Sequence, residues 1–230
     1  MSKKGLVFAL FTALVSGFSI FINKFGLKET DPYIFTGVKN IIVVLFLLSA
    51  LFLLKDYKEL FSLSRKQWMK LCAIGLVGGS IPFLLFFKGL TMTSAASGSF
   101  IQKTMFVFVA AGAITLLKEK VDRKFMIAAV LLLIGNALLV NFSFSSFAFN
   151  YGDLLILIAT LFWSAENLLS KHALKEVSSR TVAFGRMFFG SLIIIMFWAA
   201  TGRVETAMSL TGPQLAWIGL TAAFLFIYVT

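Results

Sequence analysis

Cysteine occurs once, at Cys72, so no disulfide can close within the chain. Histidine also occurs once, at His172 in a basic connection, where solvation is its expected state; no imidazole cluster for zinc can form. Charged residues make up only 13% of the 230 positions, where a soluble domain carries about 25%. No glycine-rich phosphate loop, nucleophile elbow or metal-ligand spacing is present. No enzymatic activity is expected, and no cofactor or metal. What fills the chain is apolar: 59% of residues, a mean hydropathy of +0.94, and 27 Phe against four Trp and four Tyr. That balance suits lipid-facing surface better than a soluble core. A polytopic membrane protein is expected.

A bilayer core is crossed by about 20 apolar residues in a helix, and the runs here lack the ten-residue alternation of a barrel. Eight helices are expected, at Gly5–Leu27, Tyr33–Leu54, Leu71–Leu90, Ser94–Leu117, Phe125–Phe142, Gly152–Ser170, Thr181–Ala200 and Thr211–Tyr228. The first has no small-residue cleavage site before polar sequence and reads as a retained span. Of the 21 Lys and Arg, fourteen fall in residues 3–4, 55–70, 118–124 and 171–180, whereas the alternate loops hold only Lys28 and Arg203. This asymmetry predicts a cell-membrane protein with a cytoplasmic N-terminus. It also accounts for the net charge of +11 without nucleic acid.

An internal repeat is present. Shifting the chain by 147 positions lays Gly5 on Gly152, Lys24 on Lys171, Leu27-Lys28-Glu29 on Leu174-Lys175-Glu176, and Lys39 on Arg186. Five spans separate the copies, so the two units run in opposite senses through the membrane, an arrangement that secondary transporters use for alternating access. The expected fold is all-α: a membrane bundle of inverted five-helix repeats, residues 1–145 holding the first and 150–230 about three helices of the second. Eight helices of an expected ten are thus present. The faces meant for helices 9 and 10 would offer a surface for self-association.

Ionisable groups in the spans are the first site candidates, because each costs at least about 2.5–3.5 kcal/mol at a helix centre. Lys39 and Arg186 lie roughly 8–9 Å inside their helix starts, where their stems could snorkel to the interface. Lys24 and Lys88 sit at outer helix ends and read as anchors. Lys103 falls near the midplane beside Gln102, and Glu166 at a depth differing by about 7 Å, so these two could form a structural pair or a site where solute and proton compete. Thr12, Ser16, Ser19 and Asn23 share one face of the first helix. Shifted by 147, they fall on Ala159, Trp163, Glu166 and Ser170, with Asn167 alongside. Ala9, Ala13 and Gly17, and Gly75 with Gly79, predict close helix packing. Gly78-Gly79-Ser80-Ile81-Pro82 predicts a hinge or broken helix.

Phe86-Phe87-Lys88-Gly89-Leu90, Thr93-Ser94-Ala95-Ala96, Leu117-Lys118-Glu119-Lys120, Gly152-Asp153-Leu154 and Phe162-Trp163-Ser164-Ala165 resemble the EamA-like branch of the drug/metabolite transporter superfamily. The likeness runs the length of the chain. It departs where Lys103-Thr104-Met105 stands in place of a proline carried by many members. The resemblance implies a ten-helix bundle that exports a small organic metabolite through a central cavity. Proton coupling through Glu166 is one form that transport would take. The alternatives are a non-transporting membrane scaffold and an inactive transporter fragment. In a Cys72→Ser background, cysteines at Lys66, Arg123 and Lys175 should resist an impermeant thiol reagent in intact cells, and those at Glu29 and Phe147 should react. Strong labelling at position 66 would overturn this orientation.

Overall fold

The computed structural model describes residues 3–116, 118, 123–139 and 150–229, and among them every regular element is helical. The helices are α1 (Lys3–Gly26), α2 (Pro32–Leu53), α3 (Tyr57–Ser62), α4 (Arg65–Ile74), α5 (Ile81–Met92), α6 (Ala95–Lys103), α7 (Met105–Thr115), α8 (Arg123–Leu139), α9 (Tyr151–Ala173), α10 (Ser179–Ala200), α11 (Val204–Met208) and α12 (Gly212–Val229). Among the described residues five stretches are long and apolar enough to cross a membrane: Pro32–Leu53, Arg65–Met92, Ala95–Thr115, Tyr151–Ala173 and Ser179–Ala200. Leu10–Gly26 and Gly212–Ile227 are shorter apolar helices. The chain is an all-α polytopic membrane bundle.

Local chemistry explains where the helices start. Asp31 caps α2 by accepting from the amides of Tyr33 (2.9 Å) and Ile34 (3.1 Å), and Pro32 follows at the first helical position. A reciprocal Ser64–Gln67 capping box starts the third span at Arg65, six residues before the apolar run begins. Asn150 and Asp153 form the equivalent box on α9. The fourth expected helix is broken at Thr104, between α6 and α7, although no proline is there. The Thr104 hydroxyl donates back to the Ile101 carbonyl at 2.6 Å, and its amide also reaches Ile101 O at 3.1 Å, which tightens the turn. His172 lies in the last turn of α9 rather than in a connection, and is exposed. Leu117, Glu119, Lys120 and the 140–149 stretch, which includes the expected end of the fifth helix at Phe142, lie outside the described residues.

The helix bounds themselves recur at the repeat spacing. Moved by 147 positions, Pro32–Leu53 falls on 179–200, the bounds of α10, and Arg65 falls on Gly212, where α12 begins.

Between α4 and α5 the third span passes through a π-helical segment, Gly75–Ser80. Its glycines set the approach of α10. A Cβ on Gly79 would lie 2.0 Å from the Arg186 carbonyl oxygen, one on Gly75 2.5 Å from Phe189 Cβ, and one on Gly190 2.3 Å from Gly79 O. At the α5–α9 contact, a Cβ on Gly89 would fall 2.6 Å from Gly152 O, and one on Gly152 2.8 Å from Gly89 O. Gly17 is different: among the described residues nothing stands within 4 Å of its Cβ position, so the close packing expected there is not seen among them. The side chains of Ala9 and Ala13 lie outside the described set. The core gathers Phe35, Leu47, Phe87, Ile156, Trp163 and Met187, whereas Phe11, Leu14, Phe18 and Phe21 of α1 remain exposed, as lipid contact requires.

Polar contacts close both ends of the bundle. At the basic end, Lys70 Nζ meets Glu176 Oε1 at 2.5 Å, and Arg180 pairs with Asp56. Glu59 accepts from the Ser178 amide (2.8 Å), the Ser178 hydroxyl (2.5 Å) and the Thr181 hydroxyl. Partial burial opposes ionisation of Glu59, but these hydrogen bonds outweigh it and hold the carboxyl below its ordinary value. At the other end Gln214 donates to Glu29 O (2.6 Å), Trp198 to Tyr33 O (3.2 Å), and Thr93 to Asp153 (2.7 Å).

Two glycine substitutions separate tight from open positions. Gly79→Ala should lower stability by about 3 kcal/mol or more, because the obstacle is backbone. Gly17→Ala should be neutral or stabilising by less than about 1 kcal/mol. Thermal unfolding of the detergent-solubilised variants checks both.

Candidate functional site

Pro82 carries no N–H, so the carbonyl one helical turn earlier, Gly78 O, is left without its helical donor. In a membrane interior no bulk water replaces that donor. Side chains do. Trp163 Nε1 of α9 donates to Gly78 O at 3.0 Å, and Arg186 Nε of α10 donates to the same oxygen at 3.3 Å. The neighbouring carbonyl, Gly79 O, accepts from Asn40 Nδ2 of α2 at 3.2 Å. The expected hinge is a π-helical segment, and its carbonyls at Gly78 and Gly79 tie α2, α9 and α10 to the third span.

The same tie positions a carboxylate. A Cβ on Gly78 would fall 2.2 Å from Glu166 Cγ, so only glycine lets Glu166 lie against the segment. Glu166 is 5% exposed; its Oε2 lies 3.7 Å from Arg186 Nη1, and its Oε1 accepts from Ser170 Oγ at 2.5 Å.

Trp163, Glu166 and Arg186 border a cavity of about 180 Å³. Nine of the ten residues singled out from the sequence line it: Ser16, Ser19, Asn23, Lys39, Gln102, Trp163, Glu166, Asn167 and Arg186. The tenth, Lys103, is not in the lining but donates to Ser16 Oγ at 3.0 Å. Thr12, the first residue of the α1 stripe, lies outside the lining. Gln102 Oε1 is buried with no hydrogen-bond partner, which leaves an acceptor available to a solute or a water.

Three expectations change. Lys103 does not pair with Glu166: its side chain turns toward α1 and donates to Ser16, and Arg186 takes the carboxylate. Lys39 does not snorkel; it is 1% exposed, with Nζ 3.3 Å from Asn23 Oδ1 and 3.7 Å from the Phe87 ring centre. Arg186 likewise points inward, its side chain 18% exposed. The outer-end anchor Lys24 holds protein rather than the interface, donating to the Thr93 carbonyl at 2.6 Å and to that of Leu90 at the end of α5.

Part of the lining escaped the sequence reading. Phe83, Phe86 and Phe87 of α5 form an aromatic wall with Trp163, whose ring lies 5.4 Å from Phe83 and 5.3 Å from Phe86. Phe86-Phe87 stood inside a quoted motif, but nothing in its spacing pointed inward. Ile20, Met105 and Leu225 complete the lining and carry no sequence signal beyond hydrophobicity.

The model of the EamA-like transporter family matches residues 3–141 and 150–230. An uncharacterized transporter of Archaeoglobus fulgidus is 27% identical over 207 residues, covering 87% of this chain and 68% of that protein. One from Clostridium kluyveri is 24% identical over 213 residues, covering 87% and 67%. A protein of known crystal structure superposes with a TM-score of 0.64 at 17% identity, over 95% of this chain and 77% of that one, a likeness of fold.

Trp163→Phe keeps the aromatic bulk and removes the closer of the two donors to Gly78 O. It should lower stability by about 1–2 kcal/mol. Thermal unfolding is the measurement, and an unchanged midpoint would mean that Arg186 alone satisfies that carbonyl.

Proposed function

The chain belongs to the EamA-like transporter family, and we propose that it is a secondary transporter carrying a small organic metabolite out of the cell by alternating access, with Glu166 exchanging a proton during the cycle. The observation that carries this reading is the Glu166–Arg186 pair on the wall of a cavity inside the membrane bundle. An ionisable pair at that depth is costly, and a transport pathway is the usual reason for one. The recurrence of helix bounds at 147 positions supports two inverted units rocking about the cavity.

The proton step follows from the contacts. Ionised Glu166 attracts Arg186 and holds α9 to α10 through the π-helical segment. Protonation removes that attraction, while Ser170 can still hydrogen-bond the neutral acid. Within the second unit α9 and α10 are then less strongly held where both meet the third span of the first unit, and the cavity can open to the other side.

Liposomes holding the purified chain and loaded with a ¹³C-labelled extract of small metabolites should lose particular labelled solutes faster than protein-free liposomes. An imposed pH gradient should accelerate that loss. Glu166→Gln should remain folded and cut the gradient-driven component at least tenfold. Loss of no solute would overturn transport; gradient-driven loss unaffected by Glu166→Gln would overturn coupling through this carboxylate.

A further inference from the structure

Lys39 and Arg186 occupy equivalent positions 147 residues apart, yet their surroundings differ in one respect. Arg186 has a carboxylate, Glu166, at 3.7 Å, and Glu166 is braced by Ser170. The equivalents of those two residues in the first unit are Ser19 and Asn23. Both line the cavity, with Asn23 Nδ2 donating to Ser19 O at 2.7 Å and Asn23 Oδ1 facing Lys39 Nζ at 3.3 Å. A neutral serine therefore stands where the second unit has its acid. Among the described residues Lys39 has no ion pair.

The rest of its shell does not make up the deficit. Three aromatic rings face the ammonium, those of Phe87 at 3.7 Å, Phe35 at 5.2 Å and Phe83 at 5.8 Å. Ring faces and a single amide oxygen replace only part of the hydration that a buried ammonium loses. Lys103 adds another cation one hydrogen bond away, on Ser16. Lys39 and Arg186 thus line the cavity, with Lys103 held on the lining residue Ser16, and Glu166 is the single carboxylate among the lining residues.

We propose that Lys39 receives an oxyanion group of the solute, a carboxylate or a phosphoryl group, in the place that Glu166 fills beside Arg186. The apolar part of such a solute lies against Phe83, Phe86 and Trp163, and Asn23 turns its amide N–H toward the bound oxyanion. This assignment rests on the cavity being a solute site, and it supplies the chemical class that the transport reading leaves open.

Equilibrium binding tests it without requiring transport. The full chain in lipid nanodiscs is titrated calorimetrically with benzoate, with its neutral isostere benzamide, and with inorganic phosphate. Benzoate or phosphate should bind at least tenfold more tightly than benzamide; which of the two does so identifies the acid group. Lys39→Met should erase the preference, and Lys39→Arg should restore most of it. Thermal unfolding checks that each variant is folded; should Lys39→Met fail, Lys39→Gln takes its place. Equal binding of acid and amide, binding of neither acid, or a preference that survives in a folded, uncharged Lys39 variant would overturn the proposal. Acid-selective binding without flux would leave the subsite standing and overturn transport, whereas flux with no acid selectivity would do the reverse.

Discussion

A carbonyl without a helical donor organises this molecule. Proline at position 82 removes the N–H that would close the helix onto Gly78, and lipid supplies no substitute. The oxygen instead accepts from Trp163 and Arg186, which reach it from two other helices. Meeting that demand brings α9 and α10 to the third span, and it fixes the two side chains that border Glu166. A local backbone requirement thus sets the geometry of the polar interior.

Glycine makes the approach possible. Gly75 and Gly79 face Phe189 and Gly190 with no room for a methyl group, and Gly78 makes space for the Glu166 stem. Helices in lipid gain little from hydrophobic burial against one another, so close backbone approach and interhelical hydrogen bonds carry much of the association. Both occur at the same six residues. The segment is at once a packing surface and an acceptor for hydrogen bonds.

Much of this was legible in the residues, and the misses share one cause. Apolar run length located the five stretches that, among the described residues, are long enough to span, and the 147-residue shift pairs Lys39 with Arg186 and Ser19 with Glu166. Helical spacing placed Ser16, Ser19 and Asn23 on the face that borders the cavity. Depth along an axis was also readable, at 1.5 Å per residue. Direction around the axis was not, because it depends on which neighbour each face meets. Lys103 and Glu166, expected at similar depths, point to different partners. Lys39 was placed shallow enough to reach the interface but faces Phe87 in the interior. The break at Thr104 was hidden for a related reason: a hydroxyl bonding back to its own helix leaves no composition signal.

The two ends of the bundle are fastened by different chemistry. At the basic end the fastenings include the Lys70–Glu176 and Arg180–Asp56 ion pairs, all four side chains partly exposed. At the opposite end they run to the buried or half-buried oxygens of Tyr33, Thr93 and Asp153. Mobile ions shorten the reach of exposed charges, to about 10 Å at 0.1 M and 3 Å at 1 M, and screen buried or half-buried contacts much less. Ionic strength therefore acts on this bundle as a one-sided loosening agent: concentrated salt slackens the basic end and leaves the other end fastened.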